Sequence, residues 1–333
     1  MKKLLLFFVV CLTTLFSGCK QSKEPARFVL AYVTAEGTSV PDTRLLTHIN
    51  YAFGVVNKTF NGIDIKNPDR LRMLASLKRN APHLKVLLSI GGWGSGRFSE
   101  MAADAKNRMD FAKDCKRIMD EFQLDGIDID WEYPTCSGAG ISSSPDDTDN
   151  YTLMMRDIRQ TIGKDALLTL ASVAGAQFID FKGVLPYIDF VNIMTYAMNR
   201  PPYHHSALYH SEMSGELYSE GGVKAHLEKG IPADMLLLGV PFYGYGKKLL
   251  PSYIDYSEII KLEGYETCWD SVACVPYLRD KEGDMVCTFD NPASLAIKCK
   301  YIKDMKLKGI MYWEYDADDK EGSLRKACYE GMQ

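Results

Sequence analysis

The 333-residue sequence predicts a single α/β domain built as a (β/α)8 TIM barrel, in which eight parallel strands alternate with helices. Eight short apolar segments have the composition of parallel strands buried on both faces, and most are separated by segments with helical spacing. No change in composition marks a second domain, although the length alone would allow one. A doubly wound open sheet is the competing fold, but it needs a glycine-rich phosphate loop after an early strand. The segment GGWGSG (91–96) follows the third predicted strand and lacks the required glycine spacing.

The predicted elements follow one another in the order that a barrel requires. The strands cover residues 28–33, 48–56, 84–93, 124–134, 166–174, 189–196, 236–244 and 309–315. The helices cover residues 68–80, 99–122, 150–163, 216–230, 292–306 and 322–331. The interval 245–308, between the seventh and eighth strands, is long for a loop and one helix. We expect it to hold at most a reduced insertion, such as a small hairpin or a lid over the substrate.

The fourth predicted strand carries three acidic residues on one face. In the segment LDGIDIDWEYP (124–134), Asp128, Asp130 and Glu132 alternate with large apolar residues, as expected for a strand with two different faces. The acids would lie about 7 Å apart, where like charges repel and burial of unpaired carboxylates is costly. An exposed edge strand would tolerate such a row, but Trp131 and two isoleucines indicate a strand held in a core. The row of acids therefore predicts a functional site.

Polar and aromatic residues also mark the ends of later strands. Tyr196 ends the sixth predicted strand, Tyr243 lies near the end of the seventh, and Trp313 lies near the end of the eighth. The C-terminal ends of all strands of a barrel converge on one cleft. We therefore expect these side chains to meet the acids of the fourth strand there.

Composition and charge exclude one class of function. The chain is 46% hydrophobic and 25% charged, which is ordinary for a globular protein. Its formal net charge is -4, acidic and basic residues are interspersed, and no long basic run occurs. We therefore expect no nucleic-acid partner.

The first 26 residues have the pattern of an export signal and an anchor. Lys2 and Lys3 precede an apolar run (4–15), and small residues come directly before Cys19, as in a bacterial lipobox. We expect a signal peptide (1–18), a lipid-anchored tether (19–26) that begins at a lipidated Cys19, and the barrel domain itself (27–333). The protein would then lie in the bacterial cell envelope and contact the membrane only through its lipid. The alternative is a plain secreted protein.

The cysteines and histidines show no metal-binding spacing. Seven cysteines remain beyond the export signal, and Cys268 with Cys274 is the most local candidate for a disulfide. An odd number leaves at least one thiol free or paired between chains. The segment PPYHHSALYH (201–210) holds three histidines without an acid or a cysteine at ligand spacing. We expect a substrate-contacting or structural loop there, and no metal site.

The acidic strand resembles a known signature. The segment DGIDIDWE (125–132) matches the DxxDxDxE pattern of the chitinase-like glycoside hydrolases of family eighteen. Five further landmarks of that family are present in the same order, and the resemblance covers about 28–329. They are NYAF (50–53), SIGGW (89–93), MTY (194–196), GVPFYG (239–244) and GIMYWE (309–314).

The resemblance implies a retaining, substrate-assisted mechanism without any cofactor. Glu132 would be the general acid that protonates the glycosidic oxygen, and the 2-acetamido oxygen of the sugar would attack the anomeric carbon. Asp130 would hold the acetamido N–H, and Asp128 would share a proton with Asp130. Tyr196 would donate a hydrogen bond to the acetamido oxygen.

The resemblance also implies a set of substrate-binding residues. Trp313 resembles the tryptophan that forms the floor beneath the sugar at the cleavage site, where its face packs against C–H groups. The other candidates for lining the cleft are Tyr32, Phe53, Trp93, Tyr133, Met194 and Tyr243.

Two departures from the family pattern leave the substrate open. Ala197 stands where family members commonly carry an aspartate after MxY, and the interval 245–308 is too short for the large lobe of deep-cleft chitinases. We expect a shallow cleft, and a monomer that cleaves β-1,4 linkages next to N-acetylglucosamine in chitin or chitooligosaccharides. One alternative is an endo-β-N-acetylglucosaminidase acting on N-glycans or peptidoglycan. A glycan-binding protein without catalysis is the other, although such relatives typically lose the acid at the position of Glu132.

Overall fold

The computed structural model describes residues 27–333. The predicted signal peptide (1–18), Cys19 and the tether (19–26) lie outside the described residues. In the described part of the chain, the strands are β1 (Phe28–Thr34), β2 (His48–Val56), β3 (Ile63–Ile65), β4 (Lys85–Gly91), β5 (Gly126–Asp130), β6 (Leu167–Val173), β7 (Phe190–Met194), β8 (Leu236–Pro241), β9 (Tyr243–Gly246), β10 (Ile254–Asp255), β11 (Glu266–Asp270), β12 (Val275–Arg279), β13 (Met285–Thr288) and β14 (Gly309–Trp313).

The described part of the chain also forms nine α-helices and four short 3-10 helices. The α-helices are α1 (Pro68–Ser76), α2 (Phe98–Ala103), α3 (Ala105–Phe122), α4 (Asp147–Ile162), α5 (Phe181–Val184), α6 (Ser219–Glu228), α7 (Tyr256–Ile259), α8 (Pro292–Asp304) and α9 (Ser323–Met332). The 3-10 helices are Thr43–Leu45, Leu77–Arg79, Ala233–Met235 and Tyr315–Ala317.

Eight parallel strands close into a barrel, which confirms the predicted (β/α)8 fold. Around the barrel their order is β1, β2, β4, β5, β6, β7, β8 and β14, and β14 pairs with β1 to complete the ring. An open sheet would leave two of these strands unpaired at its edges, so the doubly wound alternative is wrong. The short β3 adds to β2 in antiparallel orientation outside the ring.

The two faces of β5 explain its alternating sequence. Ile127 and Ile129 are fully buried in the layer between the barrel and its helices. Trp131 follows them on the same side, and its ring stacks on Phe98 of α2 at a centroid distance of 5.2 Å. The remaining positions of the strand point into the barrel, which directs its acidic residues toward the C-terminal mouth.

Several elements end earlier than the apolar pattern predicts. The third barrel strand, predicted over 84–93, stops at Gly91, where φ is +128° and a side chain would meet the carbonyl oxygen of Asp130 at 2.0 Å. The helix predicted over 99–122 is interrupted at Asp104, which is extended and caps α3 by accepting from the Asn107 N–H at 2.8 Å. The strand predicted over 236–244 divides at Phe242, after which β9 leaves the barrel.

The insertion between the seventh and eighth barrel strands is larger than a hairpin. It forms an antiparallel sheet of five short strands in the order β10, β9, β13, β12 and β11, with α7 packed against β9. This sheet stands beside the mouth of the barrel because β9 directly continues from β8.

Cys268 and Cys274, the most local candidates for a disulfide, are not bonded to each other in this structure. All seven cysteines of the described residues are free thiols. Cys268 lies on β11 opposite Tyr277, whereas Cys274 occupies the tight turn before β12 with φ of +57°. Its thiol donates to the Ser271 and Val272 carbonyls at 3.6 and 3.7 Å.

Among the described helices, none combines the length and the apolar composition that a membrane span requires.

Candidate active site

A cavity of about 630 Å³ opens at the C-terminal mouth of the barrel. Every predicted site residue of the barrel lines it except Asp128, which lies just beneath. The predicted residues that line the cavity are Tyr32, Phe53, Trp93, Asp130, Glu132, Tyr133, Met194, Tyr196, Tyr243 and Trp313. The structure therefore brings together side chains from strands that are far apart in the sequence.

Asp128 is a fully buried carboxylate whose acceptor sites are filled by neighbouring strands. Thr169 and Asn192 donate to Oδ1 at 2.6 and 3.1 Å. Tyr32 and Ser89 donate to Oδ2 at 2.9 and 2.7 Å. Burial raises the pKa of Asp128, and these four donors oppose the rise because they stabilise the charged form. The network ties one acid to four strands and fixes its position.

Asp130, at the end of β5, lies in a different environment. Its side chain is buried, and Oδ1 has no hydrogen-bond partner among the described residues. Burial raises the pKa of Asp130 well above its ordinary value, and the charges of Glu132 and Asp128 raise it further. A carboxyl in this position favours the protonated form, so Asp130 can donate or receive a proton inside the cavity.

Glu132 follows two residues later at the wall of the cavity. Burial raises the pKa of Glu132 to about 7, although a hydrogen bond with Tyr133 opposes the rise. Because Glu132 and Asp130 interact, their protons titrate as a coupled set. Near neutral pH, a large fraction of the Glu132 side chains therefore carries the proton that a general acid needs.

Tyr196 reaches the same space from just beyond β7, which is two strands from β5 around the barrel. Its hydroxyl contacts the Met311 sulfur at 3.7 Å, and its ring meets Tyr243 edge to face at 6.3 Å. Burial raises the pKa of Tyr196 well above the ordinary value, and the Asp130 and Glu132 charges add to this rise. The phenol thus stays protonated and can donate a hydrogen bond to a ligand.

An aromatic floor closes the bottom of the cavity. The ring of Trp313 stacks on Phe53 with a centroid distance of 5.5 Å and an interplanar angle of 17°, and it lies 5.7 Å from Tyr32. Flat apolar faces of this kind pack against the C–H surface of a sugar. At the rim, Trp93 is 67% exposed and contacts Tyr133 edge to face at 6.4 Å.

The sequence did not identify the part of the cavity wall that the insertion and the loops after β7 form. Tyr245 and Tyr253 of the insertion line the cavity, together with Met198, Arg200 and Leu217 from the loops after β7. Tyr253 stacks on Tyr243 at 4.3 Å with an interplanar angle of 15°. The tyrosine-rich interval 245–308 was the available signal, but its composition does not reveal which side chains turn toward the barrel.

The histidine-rich loop after β7 is structural. His204 is buried and lies 3.2 Å from Asp270 and 3.4 Å from the Thr288 hydroxyl, measured from Nε2 and Nδ1. His205 is fully buried between Tyr243 and Tyr245. Neither side chain lines the cavity, and the described residues contain no cluster of three or more histidine, cysteine or acidic side chains that could hold a metal ion.

Asp125 of the signature and Ala197, which follows the MTY landmark, have surroundings unlike those of the central acids. Asp125, at the opposite end of β5, pairs with Lys78 at 2.8 Å and Lys85 at 3.2 Å and accepts from the Val86 N–H at 2.9 Å. It therefore links strands at the bottom of the barrel. Ala197, directly after Tyr196, lines the cavity with φ of +54° and supplies no polar group.

The comparisons with known proteins agree on one protein family. The family model described as Glycosyl hydrolases family 18 matches residues 28–318. The chain is 32% identical to Chitinase A1 of Niallia circulans, in a match that covers 78% of this chain and 45% of that protein. It is 30% identical to Chitotriosidase-1 of Mus musculus, with coverage of 87% and 70%. The chain thus spans less than half of the length of the first relative.

A solved structure has the same fold as this chain over almost the full length of both proteins. It is described as a novel glycoside hydrolase family 18 N-acetylglucosaminidase from Paenibacillus barengoltzii. The TM-score is 0.84 at 32% identity, and the match covers 92% of this chain and 99% of that one.

Proposed function

This chain belongs to glycosyl hydrolase family 18, and from that premise we propose that it hydrolyses β-1,4 linkages next to N-acetylglucosamine, with chitin or chitooligosaccharides as substrates. The observation that carries the proposal is the coupled pair formed by Asp130 and Glu132. Both side chains line the cavity, and burial raises the pKa of each, to about 7 for Glu132. This arrangement supplies an acid that is protonated near neutral pH.

In the proposed reaction, Glu132 protonates the glycosidic oxygen while the acetamido oxygen of the sugar attacks the anomeric carbon. The bond to the leaving sugar breaks, and a cyclic oxazolinium ion forms. Water, deprotonated by Glu132, then opens this ion with retention of configuration. The enzyme needs no covalent intermediate of its own and no cofactor.

The other polar groups would position the reacting acetamido group. We assign Asp130 to its N–H and Tyr196 to its oxygen, since both side chains line the cavity and Tyr196 stays protonated. Asp128 already accepts four hydrogen bonds. A proton shared between Asp128 and Asp130 would therefore have to replace one of these donors during the reaction.

The floor and the rim would orient the sugar chain. Trp313 is assigned to the sugar at the cleavage site, because its stacked ring lies on the floor beneath the acids. A second depression of about 740 Å³ continues from the cavity over β1, β2 and β4, and both depressions share Phe53, Trp93 and Trp313. A sugar chain can therefore pass across the mouth, which favours cleavage at internal bonds.

The alternative substrates are glycoprotein N-glycans and peptidoglycan, and the alternative class is a glycan-binding protein without turnover. The experiment incubates the purified protein with chitohexaose, a high-mannose glycoprotein and peptidoglycan, and identifies products by mass. We expect chitohexaose to yield shorter oligomers, including products of internal cleavage. Exclusively terminal release would contradict the open cleft, and tight binding of chitohexaose without any product would support the non-catalytic class.

We also propose that the protein is exported, lipidated at Cys19 and held at the bacterial cell envelope as a monomer. The support is the sequence pattern of residues 1–19, with a basic start, an apolar run and small residues before the cysteine. Metabolic labelling with a fatty acid tests the anchor. Wild-type protein should incorporate the label, and Cys19→Ala should not; an unlabelled wild type would support the plain secreted form.

A further inference from the structure

Arg200 is the only basic side chain among the described residues that line the cavity. It lies four residues beyond Tyr196, in the loop after β7. The carboxylic acids of the lining are Asp130 and Glu132. The proposed reaction uses carboxyl groups, a phenol and the acetamido group of the sugar, so it leaves this cation without a role.

The Arg200 guanidinium forms no ion pair with any described acidic side chain. Its Cζ lies 3.9 Å from the centroid of the Tyr245 ring, and Nη1 donates to the Ser252 carbonyl at 3.4 Å. A guanidinium carries five N–H donors, so most of them stay available to a ligand. By contrast, Arg159 elsewhere on the barrel pairs with Asp189 at 2.6 Å.

The Arg200 side chain is exposed, but a ring contact orients its guanidinium, and hydrogen bonds of the neighbouring Asn199 brace its loop. The Tyr245 ring fixes the guanidinium from one side, which leaves its edges free for hydrogen bonds. Beneath it, the Asn199 amide donates to the carbonyls of His204, Ser214 and Leu217 at 3.2, 2.7 and 3.1 Å. A ligand that meets a fixed donor set loses little conformational entropy on binding.

The charge balance of the cavity favours an anion at this position. Burial raises the pKa of Asp130 well above its ordinary value and that of Glu132 to about 7, so these carboxyls are largely or partly neutral near pH 7. Ala197, beside Tyr196, adds no carboxylate. The planar fork of an arginine matches the two oxygens of a carboxylate.

We propose that Arg200 is a specificity-determining residue that pairs with a carboxylate on the sugar chain, so that the cleft prefers glycans in which N-acetylglucosamine is β-1,4-linked to a carboxylate-bearing sugar. This inference rests on the proposed function, because it assumes that such a chain enters the cavity. Two glycans share this chemistry. Peptidoglycan strands without their stem peptides carry a free lactyl carboxylate on alternate sugars, and hyaluronan carries a uronic acid on alternate sugars.

The test compares each acidic glycan with a neutral form of the same shape. Peptide-free peptidoglycan strands and hyaluronan oligosaccharides are used intact and with their carboxyl groups reduced to alcohols, and chitohexaose reports the proposed function. The proteins are wild type, Arg200→Gln, Arg200→Lys and the control Arg72→Gln. Arg72 also lies over an aromatic ring, Phe122 at 5.0 Å, but outside the cavity.

We expect wild-type kcat/KM to be about 10- to 100-fold higher for the intact form of at least one acidic glycan than for its reduced form. Arg200→Gln should bring this ratio close to one, Arg200→Lys should retain part of it, and Arg72→Gln should keep the wild-type ratio. The glycan that shows the larger ratio identifies the source of the carboxylate.

A wild-type ratio near one for both glycans would overturn the inference, and so would an Arg200→Gln ratio equal to that of the wild type. If no substrate is cleaved, including chitohexaose, the proposed hydrolysis fails separately. Dissociation constants of the intact and reduced glycans, measured by calorimetry, then give the same ratio and decide the role of Arg200.

Discussion

Replacing Glu132 by glutamine should make the stability of the protein less dependent on pH. Burial raises the pKa of Glu132 from 4.5 to about 7 in the folded state. Between these values the unfolded chain ionises this carboxyl while the folded chain keeps it protonated. The wild type therefore loses stability as pH rises, and the loss is complete above about pH 7. The two pKa values correspond to a loss of roughly 3 kcal/mol.

Glutamine cannot ionise, so the variant should escape this loss. Urea unfolding of wild type and Glu132→Gln at about pH 4.5, 6 and 8 measures the difference, which should grow from near zero to roughly 3 kcal/mol in favour of the variant. The change also removes one charge that raises the pKa of Asp130, which acts in the same direction. The exposed Glu321→Gln is the matched control and should follow the wild type. Parallel pH curves for wild type and Glu132→Gln would refute the reasoning.

Three further changes test other contacts within the site and the barrel. Tyr32→Phe removes one of four donors to Asp128 and should lower the free energy of unfolding by roughly 1–3 kcal/mol, so an unchanged urea midpoint would contradict the network. Lys298→Met leaves the fully buried Asp290 carboxylate without its cation at 2.6 Å and should cost roughly 3–5 kcal/mol in urea unfolding. Adding Asp290→Leu to it should restore much of this loss, and an additive double variant would argue against a coupled pair. Trp313→Ala should lower kcat/KM on chitohexaose at least about 10-fold through loss of the aromatic floor, and turnover close to wild type would rule out that role.

The sequence alone predicted the barrel and the place of the acids. Parallel strands buried on both faces leave long apolar runs, and this signal does not depend on distant contacts. The alternation around Asp128, Asp130 and Glu132 also reports directly which face enters the barrel, because the side-chain period of a strand is two. The strand ends were less certain, since Gly91 stops its strand through a close approach to the Asp130 carbonyl that only the folded structure reveals.

The sequence did not predict the wall contributed by the insertion. Tyr245 and Tyr253 reach the cavity because five short antiparallel strands, with their own register, fold beside the mouth. Short strands in a polar segment give weak periodicity, so the sequence suggested only a hairpin or a lid. The same cause explains why the candidate pair Cys268 and Cys274 is unbonded, because the two are close in sequence but strand pairing places Cys268 opposite Tyr277.

Turnover of chitohexaose by wild type and Glu132→Gln, with product masses followed over time, is the most decisive single experiment. Wild-type protein should release shorter oligomers, and the variant should fold normally yet be slower by about 100- to 10,000-fold, as expected for the loss of a positioned proton donor. Far-ultraviolet circular dichroism and the urea midpoint show whether the variant is folded. A folded Glu132→Gln protein with turnover close to wild type would contradict the assignment of Glu132 as the general acid.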